Sequence, residues 1–218
     1  RLLQSDVARA QLIRNLKNYL ANGKHAGVVI DFKELPEASQ LLMVDFLREL
    51  KAALAPDRRQ VVSVLPAYEA PAHFEALVDA VDRLILLAYD QHASHEKSGP
   101  LASQVWFESV LDARFADVAG DKLIVAIGSY ATDWSSAGHG KIISIRESWD
   151  LLHRSQARLA FDGTALNPTF GYRDSQGNTA HTVGMLDGVT VYNQMAAALA
   201  MNPGGLVLWR LGTEDPCI

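Results

Sequence analysis

Apolar residues in this chain follow two alternating rhythms. One is a spacing of three and four residues: Leu12, Leu16, Tyr19 and Leu20 in "SDVARAQLIRNLKNYLAN", then Leu42, Phe46, Leu50 and Leu54 after Pro36. It predicts a helix over 5–22, capped by Ser5 or Asp6 and ended by Gly23, and a second helix opened by Pro36. The other rhythm is the unbroken apolar run, in "GVVIDF", "QVVSVLP", "RLILLAYD", "KLIVAIGSY" and "GGLVLWRLG". Continuous runs are what parallel strands covered on both faces require. "AHFEALVDAV", "VWFESVLDARF" and "DGVTVYNQMAAALAM" predict further helices between and around them.

Strand–helix alternation implies right-handed crossovers and an α/β fold. The five predicted strands lie at 28–32, 61–66, 84–90, 123–130 and 205–211. Five strands would suit a doubly wound sheet or part of a barrel. Two features favour the barrel. Polar or aromatic residues recur at the strand carboxyl ends (Asp31, Tyr89, Asp90, Tyr130, Trp209), where barrels build their sites. No glycine-rich phosphate loop follows the first strand. The expected architecture is therefore a (β/α)8 TIM-barrel type, incomplete, with its N-terminal strands absent. Residues 1–218 then form one domain that supplies strands four to eight. The chain starts at Arg1 without a Met, which leads us to expect the missing strands upstream.

Residues 141–187 break the rhythm. "ISIRESWDLLHRSQ" reads as helix, whereas "ARLAFD", "PTFGYRD" and "AHTVGML" read as short strands, with "SQGN" as a turn between the last two. This span is expected to be a small α+β insertion.

Composition narrows the partners. At 218 residues, 49% apolar and a net charge of −5, the chain suits a globular core and carries no basic run for nucleic acid. Its apolar runs are too short to span a bilayer, so no membrane contact by this segment is expected. One cysteine, Cys217, rules out an internal disulfide framework. "DQHASHE" offers Asp90, His92, His95 and Glu96 with H-x-x-H spacing, but in a loop without a fixed third ligand. We read these as solvated loop residues and expect no metal and no cofactor. Trp106 and Trp149 fall in predicted helices and read as packing; Tyr130 and Trp134 are strand-end aromatics.

The sequence resembles glycoside hydrolase family 18, and is most similar to spore-cortex hydrolases and to hydrolase-like domains fused to polysaccharide deacetylase and glycosyltransferase modules. "AGVVIDFK" (26–33) is similar to the D-x-x-D-x-D-x-E strand of that family, and "LLAYDQH" (86–92) to its M-x-Y-D segment. "AIGSYATDW" (126–134), "HTVGMLDGVTVYNQM" (181–195) and "GGLVLWRLGTEDP" (204–216) resemble later segments, in the right order.

The resemblance implies a TIM barrel and a substrate-assisted, retaining mechanism, in which the substrate's own acetamido group attacks the anomeric carbon. It places Asp31 at the residue that orients the acetamide, Tyr89 on the acetamido carbonyl, Asp90 on sugar hydroxyls and Trp209 under the sugar ring. Tyr130 joins the substrate-binding set.

The match departs where the chemistry is most demanding. Ala26 and Val29 replace the first two acids of the motif, and Lys33 stands where the general acid Glu belongs. Alternation along a strand puts Asp31 and Lys33 on one face and Glu34 on the other. A bulge after Phe32 would bring Glu34 into the site as the acid; without one, Glu34 is a solvated residue ahead of Pro36.

The expected function is a degenerate hydrolase-like domain that binds or guides an N-acetylglucosamine-containing oligosaccharide or polysaccharide. The alternatives are an active endo-glycosidase using Asp31 and Glu34, or a purely structural module. Extracytoplasmic action follows from the resemblance. A homodimer would cover exposed barrel edges.

Overall fold

The computed structural model describes residues 2–32, 35–67, 73–136, 138–174 and 176–218. Lys33 and Glu34 thus lie outside the described residues. The chain divides into two compact units, 1–86 with 118–124, and 87–117 with 125–218.

The first unit begins with α1 (Asp6–Gly23), β1 (Gly27–Ile30), α2 (Glu37–Leu54), β2 (Gln60–Pro66) and α3 (Phe74–Ala80). Most of β3 (Arg83–Leu87) and the first two residues of β4 (Leu123–Gly128) complete it. Ser5 caps α1 by accepting the Ala8 amide, as the sequence pattern expects. Its C-terminus differs from the expectation. Lys24, at φ 53°, takes the left-handed position, and the exposed His25 ring lies over Gly23. That ring stacks on Tyr19 at 5.4 Å, so Tyr19 leaves the expected apolar stripe and is 67% exposed. In the predicted α2 stripe Leu42 is only half-buried, while Phe46, Leu50 and Leu54, with Leu47 beside them, are fully buried. Each contributes roughly 1.5–3 kcal/mol relative to exposure. Arg9, buried on α1, donates to Glu49 of α2 at 2.9 Å and to Asp6 at 2.8 Å.

The second unit holds the rest of β4, α4 (Gln104–Asp117), α5 (Ile145–Ser155), α6 (Gly188–Ala200) and β10 (Gly205–Trp209). It also contains an antiparallel sheet of β5 (Ala131–Ser135), β6 (Lys141–Ile143), β7 (Ala160–Phe161), β8 (Pro168–Arg173) and β9 (Ala180–Met185), in the order β6-β5-β9-β8-β7. The sheet thus takes in residues 131–135, ten positions upstream of the 141–187 span. Ala131, Phe170, Val183 and Met185 pack with Ile143 and Ile145 into its core, with Trp149 of α5 against them. Between β8 and β9, where a turn is expected, Gly177, at φ 71°, donates its amide to the Asp174 carbonyl at 2.9 Å. A Ser144–Glu147 capping box starts α5.

The other five strands run in the order β1-β2-β3-β4-β10, and β1 pairs with β2 in parallel. This sequential series of strands and helices is the (β/α)-barrel pattern, represented among the described residues by five of its eight strands. Burial follows position in the order. β4 is almost wholly buried, whereas β1 and β10 at the two ends carry Val29 at 50% and Val207 at 38% exposure. The expectation of strands covered on both faces therefore holds for the inner strands and fails at the outer two.

Candidate functional site

Most of the parallel-order strands stop short of the predicted ends. β1 ends at Ile30, β3 at Leu87 and β4 at Gly128, so Asp31, Tyr89, Asp90 and Tyr130 stand one to three residues past the ladder. Trp209 is the last residue of β10. Strand ends turn polar because the chain must leave the sheet there, and the freed side chains become available for a site.

The second unit brings four of the sequence-predicted residues together. The Tyr89 ring lies parallel to Trp209, with centroids 5.8 Å apart and 5° between planes. Tyr130 meets Tyr89 edge to face at 6.4 Å. These are offset-stacked and T-shaped geometries that the ring quadrupole favours. The Tyr130 hydroxyl donates to Asp90 Oδ1 in a short hydrogen bond. Asp90 reaches it from a left-handed backbone at φ 61°, which aspartate tolerates better than most residues. Tyr89 and Tyr130 are buried at 5% and 2%, but Trp209 is 38% exposed. The result is a rigid buried pair beneath one half-open indole, with a carboxyl group at its edge.

Burial, and then the neighbouring Asp90, push the Tyr130 phenol far above its ordinary value of 10.0. Tyr172 on β8 is raised in the same sense, first by desolvation and then by its 2.7 Å bond to Asp133. A phenol with a raised folded value contributes stability that is fully present below its unfolded value and is lost as pH climbs toward the folded one. A phenolate absorbance titration to about pH 11 should therefore lose no amplitude in Tyr130→Phe or Tyr172→Phe. A drop in amplitude in either variant would contradict the buried, bonded phenols.

Asp31 belongs to the first unit, exposed, just after β1. Phe32 stacks on Phe46 at 6.1 Å. The question of Lys33 against Glu34 lies outside the described residues. Trp134 is buried within the antiparallel sheet, where Gly140 and Gly184 leave room for its ring. In the "DQHASHE" loop, Glu96 accepts the Ala93 amide at 2.9 Å and the His92 ring lies against Gly99. Among the described residues no three His, Cys, Asp or Glu side chains converge to hold a metal.

Two contributors escaped the sequence reading. A Cβ at Gly128 would lie 2.9 Å from Tyr130 Cε1, 2.7 Å from Leu186 Cδ1 and 3.1 Å from Tyr89 Cβ, so only glycine lets the two tyrosines close. Ser129 donates its amide to the Trp209 carbonyl at 2.6 Å and fixes the strand that carries the indole. Both act through space and backbone amides, so residue type alone gave no signal.

A sequential βα series with aromatic side chains gathered at strand carboxyl ends defines the (β/α)-barrel class. Within it, the chain belongs to the glycosyl hydrolases family 18, whose family model matches residues 1–214. It is similar to the sporulation-specific glycosylase candidate YdhD of Bacillus subtilis (strain 168), at 24% identity over 96% of this chain and 52% of that protein. It is also 23% identical to the uncharacterized glycosylase YvbX of the same organism, over 99% of this chain and 65% of that one. The chain thus spans between half and two thirds of the length of these curated relatives. Among solved structures, a chitinase from Chromobacterium violaceum ATCC 12472 matches with a TM-score of 0.88 and 26% identity, over 97% of this chain and 69% of the other. Among the described residues no helix is long and apolar enough to cross a membrane.

Proposed function

We propose that this chain is a carbohydrate-binding part of a family 18 barrel that grips an N-acetylglucosamine-containing polysaccharide without cleaving it. The observation that carries the reading is the half-exposed Trp209 ring, stacked at 5.8 Å on the buried Tyr89. A flat apolar face with a polar group at its rim suits a pyranose ring, which presents C–H bonds on its face and hydroxyls at its edge. Tyr89 and Asp90 would contact the acetamido and hydroxyl groups, and Tyr130 would hold Asp90 in place. Family membership and the chitinase likeness support an N-acetylated sugar. A further structure with the same fold, an Ostrinia furnacalis chitinase domain at 17% identity, was solved with a bound N-acetylchito-oligosaccharide. The matching spore cortex-lytic enzyme SleL of Bacillus megaterium, at 19% identity, supports a wall polymer and hence extracytoplasmic action.

Loss of catalysis is inferred from Lys33 at the position of the general acid. An ammonium on a flexible stem lacks the geometry and the proton affinity of a carboxylic acid poised at a glycosidic oxygen. The second reading, an active endo-glycosidase, is favoured by Asp31 keeping the position of the motif's last acid. Incubating the chain with an N-acetylglucosamine hexamer and separating the products decides between them. We expect intact hexamer. Shorter oligomers that disappear in Glu34→Gln would establish the hydrolase and name its acid.

A further inference from the structure

The segment after Trp209, "RLGTEDPCI", folds back over the end of β4, and one buried carboxylate organises it. Asp215 is 7% exposed. Its Oδ2 accepts the Gly188 amide at 2.9 Å, and its Oδ1 accepts the Cys217 amide at 2.9 Å. Gly188 is the first residue of α6, whose cap Asp187 takes the Thr190 amide at 3.0 Å instead. The Gly188 amide, one of the donors that a helix start leaves over, is thus satisfied by Asp215.

The backbone of Asp215 completes the link. Its amide donates to Ser129 Oγ at 3.1 Å, and the Ser129 amide donates to the Trp209 carbonyl at 2.6 Å. Thr213 Oγ1 donates to the Ser129 carbonyl at 3.0 Å. A chain of hydrogen bonds therefore runs from α6 through Asp215 and Ser129 to Trp209. Ser129 sits between Gly128, which makes room for the tyrosine pair, and Tyr130, which holds Asp90.

We infer that Asp215 is a positioning residue for the indole floor, holding Trp209 against Tyr89 through Ser129. This rests on the carbohydrate-binding reading for its consequence, but not for its geometry. Trp209 is packed on one face and partly open, so its orientation depends on how firmly its backbone is held. Removing the carboxylate takes the acceptor away from two part-buried amide bonds, to Gly188 and Cys217, and frees the loop that clamps Ser129.

The test isolates the Trp209 signal. Near-ultraviolet circular dichroism of the parent minus Trp209→Phe gives the contribution of the stacked indole. The same subtraction, Asp215→Ala minus the double variant, gives it without the carboxylate. We expect that contribution to fall by more than half, and affinity for an N-acetylglucosamine hexamer to fall about ten-fold. Asp215→Asn keeps the volume and one acceptor oxygen, and should give an intermediate loss. It also serves if the alanine variant does not fold, and Ser129→Ala should reproduce the effect from the other side of the link. An unchanged Trp209 contribution in folded Asp215→Asn and Ser129→Ala would overturn the inference. Absence of hexamer binding by the parent would instead sink the carbohydrate reading, while the spectroscopic arm would still decide the role of Asp215.

Discussion

Replacing Trp209 by alanine is expected to abolish measurable binding of N-acetylglucosamine oligomers while leaving the fold intact. The indole is the open member of the aromatic group, 38% exposed and lying on Tyr89 with only 5° between planes. An anchoring aromatic of this kind commonly contributes about 2 kcal/mol or more, roughly thirty-fold in affinity. A weak sugar ligand would then fall below detection. Stability should change far less, because β10 stands at one end of its sheet and Trp209 is not enclosed in the core. Titration calorimetry checks affinity and a thermal melt checks the fold. Unaltered affinity in the folded variant would remove the indole from the site.

Gly128→Ala is expected to have an effect of similar size by another route. One methyl group at the end of β4 would sit 2.9 Å from the Tyr130 ring and 2.7 Å from Leu186 Cδ1. The Leu186 methyl is the tip of a flexible side chain and can turn away, but the Tyr130 ring is held at its hydroxyl by Asp90. Relief must come from moving the ring and breaking that bond, or from shifting Tyr89 beneath Trp209. Overpacking of this kind costs about 1–3 kcal/mol. We expect a lowered melting temperature together with lost oligomer binding. The Tyr130 phenol, once displaced, should also begin to ionise nearer its ordinary range. A variant with parental melting and affinity would show that the tyrosines do not need the space.

How much of this was legible beforehand depends on what each residue does. The strand series could be read because buried inner strands demand unbroken apolar runs, and "LIVAIG" and "VVSVL" have no other use. The candidate side chains could be grouped from their places: Tyr89, Asp90, Tyr130 and Trp209 stand where chain leaves sheet, and the structure brings them into contact with one another. The strand β5 could not. Ala131, Thr132 and Trp134 are all buried and Asp133 is bonded to Tyr172 and His181, so the polar–apolar alternation that signals a half-exposed strand is missing. Gly128, Ser129 and Asp215 were invisible for a different reason. They work through empty space, an amide and a buried acceptor, and these properties exist only once distant segments have met.

The claim that matters most is that this chain binds an N-acetylated oligosaccharide at the Trp209 floor. Isothermal titration of the parent chain with an N-acetylglucosamine hexamer tests it most directly, with Trp209→Ala run alongside. Saturable heat in the parent, absent in the variant, is the expected result. No heat from the parent, or equal heat from both, would contradict it.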